Sequence, residues 1–227
     1  MNALEKGLES IQTAIAQQVN VVEAMVKCAY RSLRERCMGT AGEVLEMERG
    51  INESEIEIEE MCLTLLALQQ PVATDLRKVA AALKINSELE RIADLALSLA
   101  ERSESLNAHA DVEIPATLTE MVQFALQMLS DAKQAFLTSD ANLARKVCES
   151  DSQLDTMNRE IIDQILLLMN ADSEHAAAYL HVFSASRIVE RIGDLATNIA
   201  EDVEYVVEGE ITRHTRHRGP SQHEKTA

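Results

Sequence analysis

ERIADLALSLAER occupies residues 90–102 of this chain, and ERIGDLATNIAED occupies residues 190–202. The two stretches align at a constant offset of 100 through Glu90 and Glu190, Ile92 and Ile192, Asp94 and Asp194. Their apolar residues recur in threes and fours, so each stretch is one face of an amphipathic helix. Glu and Asp four positions apart then lie on the same side, about a turn apart, and each copy presents two stacked carboxylates. One acidic pair at this spacing is commonplace on a surface helix. Two copies in the same apolar frame point to a duplicated unit with a repeated task.

The surrounding composition suits that reading. The 227 residues include only seven Gly, three Pro and no Trp, too little turn chemistry for a many-stranded sheet. No segment sustains period-two alternation, so the expected class is all-α. A formal net charge of −17 argues against a nucleic-acid-binding face and suits solubility, cation binding or a basic protein partner. Cys28, Cys37, Cys62 and Cys148 lack metal-type spacing and read as reduced residues in or near a core. No apolar run precedes Leu4 as a secretory signal would, and none approaches the ~20 residues needed to span a bilayer. The expectation is a soluble, cytoplasmic protein.

Six long helices follow from the apolar pattern. The first runs from Asn2 to about Cys37 through Leu4, Leu8, Ile11, Ile15, Val19, Val22, Val26, Ala29 and Leu33. At ~1.5 Å per residue it is roughly 50 Å long. Gly39 and Gly42 bracket a turn, with Thr40 as a candidate cap. The second carries a heptad seam, Val44, Met47, Ile51, Ser54, Ile58, Met61, Leu65 and Leu68, which suits nearly parallel helix axes. Pro71 is expected as the first residue of the third helix, which runs to about Leu106 with two apolar stripes and hence two neighbours. Asn107 to Ile114 breaks the pattern, and then the programme repeats. Pro115 opens a fourth helix, Thr138-Ser139-Asp140 turns into a fifth, and a sixth runs from about Glu174 to Glu208, stopped by Gly209. The domain reading is therefore a first three-helix repeat over residues 1–107, a second over 115–209, and a polar, basic tail over 210–227 expected to be disordered.

Antiparallel packing gives the carboxylates candidate partners. In a tight hairpin, residues equidistant from the turn share one height. Glu90 and Asn52 each lie 19 positions from Pro71, and Asp94 and Glu48 each lie 23. About a point between Asp172 and Ser173, Glu190 mirrors Asp155 and Asp194 mirrors Asp151. Each half can thus assemble four oxygen-bearing side chains. Packed carboxylates repel, and a cation, shared protons or basic neighbours must offset that repulsion. Oxygen donors without Cys or His suit a hard cation, Mg²⁺, Mn²⁺, Ca²⁺ or oxidised iron. With Asn52 where the second half has Asp155, the first site is expected to bind more weakly. The bland alternative is that the carboxylates make only solvated ion pairs worth ~0.3–0.5 kcal/mol, since Arg91 and Arg191 follow the glutamates directly.

Other residues point nowhere so definite. His214 and His217 have a ligand-like spacing in a basic tail without a third donor, His181 reads as a packed or surface histidine, and Arg213, Arg216 and Arg218 are three charges in a loose segment. There is no P-loop, dinucleotide fingerprint, zinc-protease motif, nucleophile elbow or Glu-x-x-His pair. No catalytic apparatus is legible, and the chain reads as a non-enzyme. A metal-dependent enzyme such as a phosphohydrolase, and a plain helical interaction scaffold, remain the alternatives.

The run Gln70-Pro71-Val72-Ala73-Thr74-Asp75-Leu76-Arg77, SELERIADLA from Ser87 and SASRIVERIGDLATNIAEDVEYVVEG from Ser184 together resemble the PhoU family of phosphate-uptake regulators. The resemblance extends from the first helix to Gly209. It implies a tandem repeat of two antiparallel three-helix bundles, a homodimer, and metal ions, often as clusters, at E/D-x-x-x-D motifs. Carried over by position, the metal-binding residues are Glu48, Asn52, Glu90, Asp94, Asp151, Asp155, Glu190 and Asp194. The implied role is negative regulation of phosphate uptake and of the phosphate-starvation response, between a phosphate ABC transporter and a membrane sensor histidine kinase. No family function maps onto the tail beyond Gly209.

Overall fold

The structure, a computed structural model, describes residues 2–37, 39–109 and 111–209. The tail from residue 210 onward, with His214, His217 and its arginines, lies outside the described residues. Among the described residues six α-helices run in chain order: α1 Ala3–Glu35, α2 Thr40–Gln69, α3 Ala73–Asn107, α4 Ala116–Thr138, α5 Ala141–Ala171 and α6 Ala176–Glu208, with one 3-10 turn, Ser173–His175, before α6. Helices α1 to α3 pack as one antiparallel bundle and α4 to α6 as a second.

Local chemistry explains the ends. Asn2 and Glu5 form a reciprocal capping box, side chain to backbone at 2.8 Å in both directions. Gly39, at φ 83°, adopts the left-handed conformation that precedes α2, a position that suits glycine. Thr40 is therefore the first helical residue rather than the cap, and Gly42 sits inside α2 rather than in the turn. Pro71 is buried ahead of α3, whose N-cap is Val72, so the proline stands just outside the helix rather than opening it. Asp140 accepts from the Asn142 and Leu143 amides and starts α5. Gly209, left-handed at φ 78°, ends α6 with its N–H on the Tyr205 carbonyl.

The apolar stripes become the core. Ile11, Ile15, Val19, Val22, Val26 and Leu33 of α1 are at most 2 % exposed, and so are Val44, Ile51 and Ile58 of the α2 seam. Each such side chain contributes about 1.5–3 kcal/mol by leaving water. The seam frays at its end, where Leu68 is 72 % exposed. Among the cysteines only Cys62 is a core residue; Cys37 is exposed, and Cys28 and Cys148 are intermediate. Burial, helped by the neighbouring charge of Glu59, pushes the Cys62 thiol up to about 11, so it stays a neutral packing group.

Helix α3 has a third neighbour beyond its two bundle partners: it lies along α6. Arg77, early in α3, donates to the carbonyl of Val206, late in α6, at 3.4 Å. His109, just past α3, packs against His181, early in α6, with the rings tilted and their centroids 5.3 Å apart. The two helices are therefore antiparallel. Helices α1 and α4 also meet, through Lys133 to Glu23 at 3.0 Å and the Tyr30 and Thr119 hydroxyls at 2.5 Å. Equivalent helices meeting antiparallel in two pairs relate the bundles by an approximate twofold axis across α3 and α6. Lys84 ties this seam together, 3.2 Å from the Asp202 carboxylate, which is 1 % exposed. Replacing Lys84 with Met removes that cation from a buried carboxylate, and chemical denaturation should show a loss of about 2 kcal/mol.

Candidate functional site

The α2–α3 hairpin buries Ile51 and Ile58 against a core that includes Leu89 and Ile92, and so sets the intervening polar residues along its edge. Asn86 donates to the Glu55 carbonyl at 2.8 Å across the two helices, close to the register expected from a turn at Pro71. Glu48, Asn52 and Glu90 are half-buried there, and Asp94 is exposed. Asn52 donates to the Glu48 carboxylate at 2.5 Å, while its own carbonyl oxygen is buried without a hydrogen-bond partner. Loss of water first, then the charges of Asp94, Glu55 and Glu48, hold the Glu90 carboxyl above its usual range, with Arg91 pulling the other way. Glu55 is raised as well, by desolvation and then by Glu59 and Asp94.

The α5–α6 hairpin repeats the arrangement. Thr197 donates to Asp151 at 3.4 Å, and a Cβ built on Gly193 would fall 2.0 Å from Leu154 Cδ2. Both contacts lie within a turn of the register expected about the point between Asp172 and Ser173, as side chains leaning toward their own helix N-termini require. The acidic residues still share a neighbourhood. Partial removal from water, then Glu190, Asp151 and Asp155, push the Asp194 carboxyl up to about 6 against the pull of Arg187.

Two features escaped the sequence. Glu55 belongs with the first cluster, three positions past Asn52 on the same face, so the first half carries four carboxylates like the second. The expectation of weaker binding there, which rested on Asn52 alone, loses its basis. In the second half the equivalent of Glu55 is Asn158, buried with its carbonyl oxygen unpaired. The ion pairs are also not those of the simple reading: Arg91 pairs with Glu88 at 2.9 Å, and Glu190 is held by Arg187 at 2.8 Å.

The donor chemistry fits a hard cation: carboxylates that raise one another's pKa, plus an amide oxygen buried without a partner at Asn52. The sites are not closed on an ion, however. Among the described residues no three His, Cys, Asp or Glu side chains converge to chelate one as they stand. Chelation would require these carboxylates, several of them short aspartates, to change rotamer.

A second geometry joins the halves. A groove of about 450 Å³ between α3 and α6 is lined by Arg91, Asp94, Leu95 and Ser98, and by the residue 100 positions on from each. One carboxylate of each repeated motif, Asp94 and Asp194, thus lines one shared cleft.

A model of the PhoU domain matches the chain twice, over residues 15–103 and 118–203. This chain belongs to the PhoU family. Each matched segment contains one copy of the repeated motif, Glu90 to Asp94 in the first and Glu190 to Asp194 in the second. The chain is 31 % identical over 207 residues to the phosphate-specific transport system accessory protein PhoU of Serratia marcescens, covering 91 % of this chain and 85 % of that one. Its fold is similar to the crystal structure of PhoU from Pseudomonas aeruginosa, with a TM-score of 0.84 and 32 % identity, covering 91 % of this chain and 99 % of that one. The phosphate transport system regulatory protein PhoU from Streptococcus pneumoniae matches with a TM-score of 0.82 and 26 % identity, over 92 % and 98 % of the two chains. The PhoU fold, two three-helix bundles in tandem, is thus shared along nearly the whole described chain.

Proposed function

We propose that this chain is a cytoplasmic negative regulator of phosphate uptake and of phosphate-starvation signalling. It acts as a dimeric adaptor between a phosphate ABC transporter and a sensor histidine kinase. Hard cations at the two carboxylate clusters set the shape of the face between its bundles. The observation that carries this reading is the placement of Asp94 and Asp194, one from each motif copy, on one cleft, in a family whose relatives are named as accessory and regulatory proteins of phosphate transport. Metal is a conformational element here and not a catalyst: the carboxylates would hold it, and it would relieve their mutual repulsion.

Exposed apolar side chains suit work through protein contacts. Leu68 and Val72 at the α2–α3 turn and Leu167 near the α5–α6 turn are at least 70 % exposed. Among the described residues no helix is long and apolar enough to cross a membrane, so contact with a membrane system would run through its proteins. The test is genetic. Deleting the gene should switch on a phosphate-starvation reporter in phosphate-replete cells, and the intact gene should silence it again. A copy carrying Glu90→Gln, Asp94→Asn, Glu190→Gln and Asp194→Asn, expressed to the same level, should leave the reporter on. A reporter that stays silent without the gene sinks the regulatory reading. Full silencing by the four-fold variant removes the clusters from it.

A further inference from the structure

We propose that the basic tail beyond α6 docks back, within the same chain, onto the groove between the start of α1 and the end of α2, and so gates that surface. The groove has a volume of about 540 Å³. Met61, Leu65 and Leu68 of α2 give it an apolar floor, and Glu57 and Glu60 line it as well. Both glutamates are exposed, and neither is paired with a cation among the described residues. Leu68 is 72 % exposed, so part of the floor is open to water. Arginine suits such a surface: its methylene stem lies along apolar groups while its guanidinium meets a carboxylate.

The chain itself supplies the arginines. Residues 211–223 read ITRHTRHRGPSQH, with three arginines, three histidines and no acid, in a protein whose formal net charge is −17. They also begin at the right end of the molecule. A Cβ built on Gly209, at the end of α6, would lie 3.6 Å from Arg77 Cζ. Arg77 is in the second turn of α3, close to the turn that follows Leu68 and Gln69 at the end of α2. Arg216 and Arg218 stand seven and nine residues past Gly209. At ~3.3 Å per extended residue they reach roughly 23–30 Å from it, and a bundle of three helices each about 10 Å wide is roughly 20–25 Å across. The tail can therefore pass round the first bundle to Glu57 and Glu60. Exposed ion pairs are individually weak, but a tether holds the tail at an effective concentration on the order of millimolar. Docking is then reversible and sensitive to salt. A docked tail covers Leu68, and any partner that uses this surface must displace it.

The experiment is nuclear magnetic resonance of the full chain, reading amide order parameters of residues 211–218 and the methyl shifts of Leu65 and Leu68. At low salt the order parameters are expected above about 0.6, falling well below that in about 0.5 M NaCl. Arg213→Glu, Arg216→Glu and Arg218→Glu together should release the tail at low salt and move both leucine methyls. Glu57→Arg with Glu60→Arg should release it as well, with the amide shifts of the buried helix faces unchanged. Combining the two sets exchanges the charges and should restore the order. A tail that is mobile in the wild type at low salt overturns the proposal. So does an ordered tail indifferent to Glu57→Arg and Glu60→Arg, which docks on another face, or an exchanged variant that shows no recovery. Order that grows with protein concentration places the tail on a second copy and overturns docking within one chain. None of these outcomes bears on the cation clusters, which lie elsewhere.

Discussion

Asp194→Asn stabilises the metal-free protein at pH 7.5 and removes much of its response to Mn²⁺. The carboxyl of Asp194 is pushed up to about 6 in the folded chain, by partial loss of water and then by Glu190, Asp151 and Asp155. A folded-state value above the ordinary one means that the native state holds the proton more tightly than the unfolded chain does. The stabilisation this brings is complete below the ordinary carboxylate range and is lost as pH rises through about 6. Above that, the ionised group destabilises the apo protein. Moving from the ordinary carboxylate value to about 6 corresponds to about 3 kcal/mol in full. Because the side chain opens onto a solvent-filled groove, screening brings the expected gain from Asp194→Asn down to roughly 1 kcal/mol at pH 7.5. The difference should vanish near pH 3, where both side chains are neutral. With Mn²⁺ the sign reverses, because the cation favours the ionised carboxylate. At a hundred times its dissociation constant it would stabilise the wild type by about 2.7 kcal/mol and the variant by much less. Denaturation curves at two pH values, with and without Mn²⁺, check all four conditions. Equal Mn²⁺ responses in the two proteins would reduce Asp194 to a solvated surface charge.

Gly193→Val should destabilise the protein by roughly 3 kcal/mol. Gly193 stands where the first copy has Ala93, and even a Cβ there would press into Leu154, which is 1 % exposed. Leu154 cannot swing away without disturbing a close-packed core. Combining Gly193→Val with Leu154→Ala should cost less than the two changes summed, because the cavity left by one receives the bulk of the other. Gly50 in α2 is the control: nothing lies within 4 Å of the place a Cβ would take there, and Gly50→Ala should stabilise the protein by about 0.5–1 kcal/mol through helix propensity. Urea denaturation of the four variants separates steric from backbone effects. A Gly193→Val protein as stable as the wild type would show that α5 and α6 can move apart freely.

The sequence alone was enough for the helices, their approximate ends and the repeat, because these are local properties. A helix must repeat its apolar residues every three or four positions to bury one face, and that period can be read from neighbours along the chain. The heptad seam from Val44 to Leu65 and the paired motifs at Glu90 and Glu190 are legible for this reason. Mirror arithmetic about a tight turn carried the reading as far as the pairing of acidic strips within each hairpin. It could not foresee the 3-10 turn at Ser173–His175, nor weigh Glu55 above the many other acids of α2. The docking of α3 against α6 was decided only in three dimensions. It depends on which faces remain apolar once each bundle has closed, and on contacts such as Lys84 to Asp202 between residues more than a hundred positions apart. No periodicity encodes that choice. It is this choice that brings Asp94 and Asp194, one from each copy of a common acidic motif, onto the walls of a single cleft.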